Sequence, residues 1–205
     1  MDIRTYQQGA LQTEKPFPTR KRFEHSAIGV LTELGEFASL VKRVAIYNKD
    51  IDSARKEGEV VPRAGMFEEL GDSNWYIATG FDVCGQEMRP VAYPISFQEG
   101  SSQSDRLLKL AFAFGAIVGR LCELVLNTDL ENDDDARVQF GQGLGQLLYL
   151  NGMTANLLGS DLETLFVANN QKLLSGEKAR YGNKGYSDQA AEARADKDGV
   201  DHTAS

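Results

Sequence analysis

Two pairs of carboxylates repeat one spacing: Glu33 with Glu36, and Glu69 with Asp72. Residues three apart on a helix project from one side of it. Each pair encloses a leucine and a glycine, and apolar residues flank both: Leu31, Leu34 and Phe37 around the first, Phe67, Leu70 and Trp75 around the second. Acidic pairs at this spacing are common and usually just solvated. Charges set into apolar faces call for a further reason. If the two helices form an antiparallel hairpin, the four carboxylates can face each other, repel, and raise one another's pKa. A divalent cation removes that repulsion, and an all-oxygen ligand set suits Mg²⁺, with Mn²⁺ as the alternative. Solvated edges and a cation site both stand as readings of this spacing. Glu68 lies beside the group.

Other routes to chemistry are poorly served. No Gly-x-x-x-x-Gly-Lys-Ser/Thr phosphate loop occurs. The two histidines, His25 and His202, cannot build a histidine-rich metal site, and His25 reads as a packing or helix-surface residue. Cys84 and Cys122 form no zinc pattern or disulfide framework and read as buried free thiols. The 205 residues carry a formal charge of −8, which disfavours a nucleic-acid polymer as partner. A nucleotide is compatible with that charge if a metal supplies the countercharge. The stretch Met1–Lys21 is polar, and no uninterrupted apolar run approaches the roughly 20 residues of a membrane span. The expectation is a cytoplasmic chain with no membrane partner.

Helices must position these groups, because apolar residues recur at helical spacing almost throughout. A first helix is expected over about 22–48, with Ile28, Leu31, Leu34, Ala38, Val41 and Ala45 on its apolar face. A second is expected from Pro62, suited to a first turn, to Gly85, suited to a C-cap. Residues 86–104 read as a linker or irregular excursion. A third helix is expected over about 105–128. A fourth follows Asp133–Asp135, whose charge suits a helix start, and ends near Leu158. A last helix, capped by Ser160 or Asp161, reaches about Ser175. The fold class is all-α: a four-helix-bundle core of two hairpins, plus a C-terminal helix. Residues 1–187 form a single domain, and 188–205 are expected to be a disordered tail.

The halves resemble each other weakly. Setting Arg22 on Arg106 places Gly35 on Gly119, and a shifted offset places Gly71 on Gly145. Glu33, Glu36, Glu69 and Asp72 then face Ile117, Arg120, Gly143 and Gln146. Chance alignment of Ala/Gly-rich helices is one reading. A second hairpin that is a degenerate copy without its carboxylates is the other. A mid-helix glycine costs about 1 kcal/mol against alanine, so tight helix–helix approach is expected at Gly35, Gly71, Gly119 and Gly145.

Four blocks together resemble the MazG-like nucleoside triphosphate pyrophosphohydrolases, of the all-α NTP pyrophosphatase superfamily. Thr32-Glu33-Leu34-Gly35-Glu36 is similar to that family's first metal motif. Glu68-Glu69-Leu70-Gly71-Asp72, followed by Trp75-Tyr76, resembles its second. Tyr6-Gln7, Ala10 and Thr13 resemble its N-terminal segment. Asn169 to Lys172-Leu173, Arg180-Tyr181 and Gly185-Tyr186 resemble its nucleotide-binding tail. The chain departs from the family in three ways: a long interval of 32 residues from Phe37 to Glu68, Thr32 where many relatives carry another glutamate, and an inserted region over roughly 89–140.

The resemblance implies Mg²⁺-dependent hydrolysis of (deoxy)nucleoside triphosphates to the monophosphate and pyrophosphate. Glu33, Glu36, Glu69 and Asp72 would be the metal ligands, with Glu33 or Glu36 orienting or deprotonating the water. Asn169 would bond base or sugar, Lys172 and Arg180 would hold phosphate oxygens, and Trp75 would stack a base or simply pack in the core. A homodimer is compatible with the family's habit of chain pairing. The alternatives are a dUTP diphosphatase of the same superfamily and a non-catalytic helical nucleotide-binding or interaction module.

Overall fold

The computed structural model describes residues 1–54 and 58–193, and they are helical with no strand among them. Side chains cap most of the helix starts. In α1 (Ile3–Gln12) the Asp2 carboxylate accepts from the Thr5 N–H at 2.9 Å. Helix α2 (Thr19–Ala45) follows Pro18, and α3 (Pro62–Val83) has its proline in the first turn. Helix α4 (Gln103–Asn127) opens on a capping box of Ser102 and Asp105. Asp133 caps α5 (Asp134–Leu157), and Asp161 caps α6 (Leu162–Asn170). One π-helical turn, Gln171–Ser175, continues α6. After a 3₁₀ turn at Gly182–Lys184, α7 (Asp188–Ala193) begins what was expected to be a disordered tail; 194–205 lie outside the described residues.

The core is the expected pair of hairpins. Helix α2 packs on α3 and α4, and α5 packs on the other side of both, closing a four-helix ring. Phe37 meets Phe114 edge-on across α2 and α4, and Phe23 meets Phe140 across α2 and α5. A buried polar bridge joins α3 to α5: the Asn151 amide donates to Ser73 Oγ at 2.9 Å and to Asn74 Oδ1 at 2.8 Å. Helices α1 and α6 lie against α3 and against each other. Among the described helices, only α4 is long and apolar enough to cross a membrane; Leu107, Leu110, Phe114, Ile117 and Leu121 are buried within the bundle.

Four expectations are corrected. First, α1 was not anticipated, because only Tyr6, Gly9 and Ala10 of its polar sequence are buried. Second, α2 stops at Ala45 rather than Asn48, where Asn48 takes φ 50°, a left-handed conformation that asparagine tolerates. Third, the buried face of α2 is rotated: Phe23, Ala27, Val30, Leu34, Phe37 and Val41 point inward, while Ile28 and Leu31 are exposed. Fourth, the glycines do not mark helix–helix crossings as a group. Gly35 and Gly119 face open space. Gly145 is approached not by a helix but by the 89–91 segment, where the Val91 N–H donates to the Gly145 carbonyl at 2.9 Å.

Candidate metal centre

The carboxylates of α2 and α3 converge because the helices run antiparallel at close range. Ser26 Oγ donates to the Tyr76 carbonyl at 2.9 Å, and the Tyr76 ring lies over Gly29, where any side chain would collide with it. Leu40 covers Gly65 farther along. Between these contacts, one carboxylate oxygen from each of Glu33, Glu69 and Asp72 lies within 4.8 Å of the other two, and all three residues are half-buried. Glu36 is exposed and stands outside this trio, a turn beyond Glu33 beside the open face at Gly35. It remains near enough for its charge to act on both Glu33 and Glu69.

The electrostatics are those of crowded, partly desolvated acids. Burial, then the charges of Glu36, Glu33, Asp72 and Glu68, push Glu69 up to about 8. Burial, then Asp72 and Glu36, raise Glu33, while hydrogen bonds from Glu69 and Thr32 oppose the rise. Thr32 bonds back to the Gly29 carbonyl at 2.9 Å and reaches Glu33 Oε1 at 3.3 Å. The donor set is oxygen only, and its mutual repulsion is the kind a hard divalent cation relieves. Its chemistry therefore fits Mg²⁺ or Mn²⁺.

The C-terminal residues meet the trio at Asp72. Asn169 Nδ2 donates to Asp72 Oδ1 at 2.8 Å, and Lys172 Nζ bridges Asp72 Oδ2 at 2.6 Å and Glu68 Oε1 at 2.9 Å. Burial alone would lower the Lys172 pKa, but Asp72 and Glu68 more than offset it, so the ammonium stays charged. Lys172 sits in the π turn, a feature frequent at functional sites. Arg180 belongs to the same surroundings: its charge, like those of Glu33 and Asp72, acts on the Tyr76 hydroxyl, which burial above all pushes up to about 12.

Trp75 stands apart from this group. Its indole N–H donates to Thr13 Oγ1 at 2.7 Å, and its ring packs edge-on against His25 and Tyr76. The half-buried Trp75 ring is thus engaged with its neighbours by packing and by one hydrogen bond. His25 is likewise enclosed by Phe17, Trp75 and Tyr76, and burial lowers its pKa. Burial pushes the Cys84 thiol up to about 12 and raises the half-buried Cys122.

No model of a known protein family, no curated protein and no solved structure matches the chain.

Sequence reasoning gave no role to two tyrosines at this centre. Tyr6 Oη donates to Asn169 Oδ1 at 2.8 Å while its ring stacks on Phe166, with centroids 4.3 Å apart. Burial and then Asp72 raise its pKa, so it stays a donor. Tyr76 borders Glu33 and Asp72. Their signal was position: Tyr76 is one turn past Asp72, and Tyr6 opens the N-terminal block.

Proposed function

We propose that the chain hydrolyses nucleoside triphosphates to the monophosphate and pyrophosphate with the help of Mg²⁺. The observation that carries this reading is the convergence of Glu33, Glu69 and Asp72 within 4.8 Å, with Lys172 bonded to one of them and Arg180 close by. An acidic cluster flanked by cations suits a metal–polyphosphate ligand better than either partner alone.

Glu33, Glu69 and Asp72 would hold the ion. When bound, magnesium would neutralise phosphate charge and act as a Lewis acid toward the attacked phosphorus. The chain's own groups do the rest. Thr32 steadies Glu33, and Asn169 steadies Asp72. Lys172 and Arg180 hold phosphate oxygens, Lys172 exchanging its contact with Glu68 for one with the substrate. Glu36 lies beside the trio without belonging to it, so it is the carboxylate free to take a proton from the attacking water. The water oxygen bonds to the α-phosphorus. The bond from that phosphorus to the α–β bridging oxygen breaks, and pyrophosphate leaves with the electron pair.

The test is Mg²⁺-dependent pyrophosphate release by wild type, Asp72→Asn and Glu36→Gln across a panel of triphosphates that includes dUTP. Each variant should lose roughly 10²-fold or more in kcat while keeping its helical circular dichroism. Wild-type rates in Asp72→Asn would sink the metal assignment. A panel satisfied by dUTP alone would favour the diphosphatase alternative, and no turnover at all would favour a binding module.

A further inference from the structure

A groove of about 550 Å³ runs between α3 and α6 and reaches the carboxylate centre at Asp72. The two helices are parallel here. Lys172 meets Asp72 and Glu68 at one end, and Arg63 Nη1 donates to the Leu158 carbonyl at 2.7 Å at the other. Along α3 the groove extends from Asp72 to Ala64, about 12 Å at 1.5 Å per residue, the span of a nucleoside. Its polar and apolar parts are segregated. Asp72, Asn169 and Lys172 occupy the end shared with the carboxylates. Phe67, Leu165 and Ala168 line the middle, and Ser160 puts a hydroxyl at the far end. The Arg63 guanidinium is spent on Asp52, at 2.6 and 3.0 Å, and on the Leu158 carbonyl, so it closes the groove rather than adding a free charge.

Gly71 lines the groove where it joins the carboxylates, and a methyl group there would come no nearer than 3.6 Å to any neighbour. Helix α6 thus passes Gly71 at ordinary van der Waals range, through Asn169 and the Leu165 carbonyl.

We propose that this groove is the nucleoside subsite: the base lies between Phe67 and Ala168, and Ser160 bonds a ring nitrogen or carbonyl on its edge. The size and the apolar walls with few polar groups are those of a small-molecule site. A hydroxyl can donate or accept, so it accommodates more than one base edge. The inference rests on the reading above for what fills the phosphate end. The aromatic cluster of Phe17, His25, Trp75 and Tyr76 is a poorer base site, because its rings are packed edge-on against each other.

The experiment uses phosphate-free nucleosides, so it does not depend on catalysis. Amide shifts of the isotope-labelled full chain are followed as adenosine, guanosine, cytidine and uridine are titrated without metal. At least one should give saturable shifts centred on Ser160, Thr164, Leu165 and Ala168. Ala168→Trp, which fills the groove from an exposed position, should weaken that binding at least tenfold, and Ser160→Ala should change the ranking of the bases. Shifts centred on His25 and Trp75, or no saturable shift with any nucleoside, would overturn the subsite. Failure of the catalytic reading shows separately, as absent Mg²⁺-dependent turnover in a protein whose groove still binds nucleosides.

Discussion

Asn169 is the most constrained polar side chain at the centre. Its carbonyl oxygen accepts from Tyr6 and its amide nitrogen donates to Asp72, so neither end can turn without losing a bond. Tyr6 therefore acts on Asp72 through Asn169, as a positioning residue. Tyr6→Phe keeps the stack on Phe166 but leaves the Asn169 oxygen unpaired. The expected cost is about 1–2 kcal/mol of stability, with kcat lowered severalfold and KM little changed. Thermal melts and steady-state kinetics check this; an unchanged kcat would make the Tyr6 bond purely structural. The i, i+3 spacing of acids was legible in sequence because it follows from helix geometry alone. Glu36's place outside the trio was not. It depends on the rotation of α2 about its axis, which the exposure of Ile28 and Leu31 shows to differ from the expected face.

At the scale of elements, the first hairpin brings together charges that each helix alone would leave in water. The pH dependence has a definite sign. Glu69 has a folded-state pKa of about 8, raised by burial and its neighbours from an ordinary value of 4.5. A raised pKa contributes stability that is present below the ordinary value and lost as pH climbs through the folded one. The metal-free protein should thus lose stability between about pH 4.5 and pH 8. Allowing for solvent screening of partly exposed acids, the loss is about 1 kcal/mol, or about 2–4 °C in Tm at this size. Mg²⁺ should restore it at pH 8 and do little at pH 5. Scanning calorimetry at both pH values, with and without the ion, measures the difference; equal Mg²⁺ effects would contradict the clustered acids. Sequence signals located α3, α5 and α6 well, since Pro62, Asp133 and Asp161 open or cap them through local chemistry, whereas the Ser102 cap of α4 fell inside the expected linker. Helix α1 and the π turn were illegible. A short polar helix gains its order from tertiary contact, and a π turn differs from an α turn by one residue of register.

Across the whole molecule, each hairpin's exit segment covers the other hairpin. The 89–91 stretch leaving the first lies on Gly145, and α6 leaving the second lies on Gly71 through Leu165 and Asn169. Arg120 donates to Gln146 Oε1 at 3.4 Å, and these residues occupy the places of Glu36 and Asp72. A degenerate duplication would produce such reciprocity. The partners of the glycines were not legible in the sequence, because a glycine reports only a missing side chain. Gly145→Ala would put a methyl 2.5 Å from Val91 Cγ2 and 2.9 Å from the Arg89 carbonyl, and should destabilise by about 1–3 kcal/mol. Gly119→Ala meets open space and should stabilise by about 0.5–1 kcal/mol. Denaturant unfolding of the two variants decides the point, and equal effects would undo the packing account.

In the proposed reaction, water attacks the α-phosphorus at the carboxylate centre. Hydrolysis of GTP, dCTP and dUTP in ¹⁸O-labelled water with Mg²⁺, followed by mass spectrometry of the products, tests it most directly. The proposed reaction puts the label in the monophosphate, with unlabelled pyrophosphate in equal amount and no free phosphate. Label in pyrophosphate or in inorganic phosphate would place the attack on another phosphorus and contradict it.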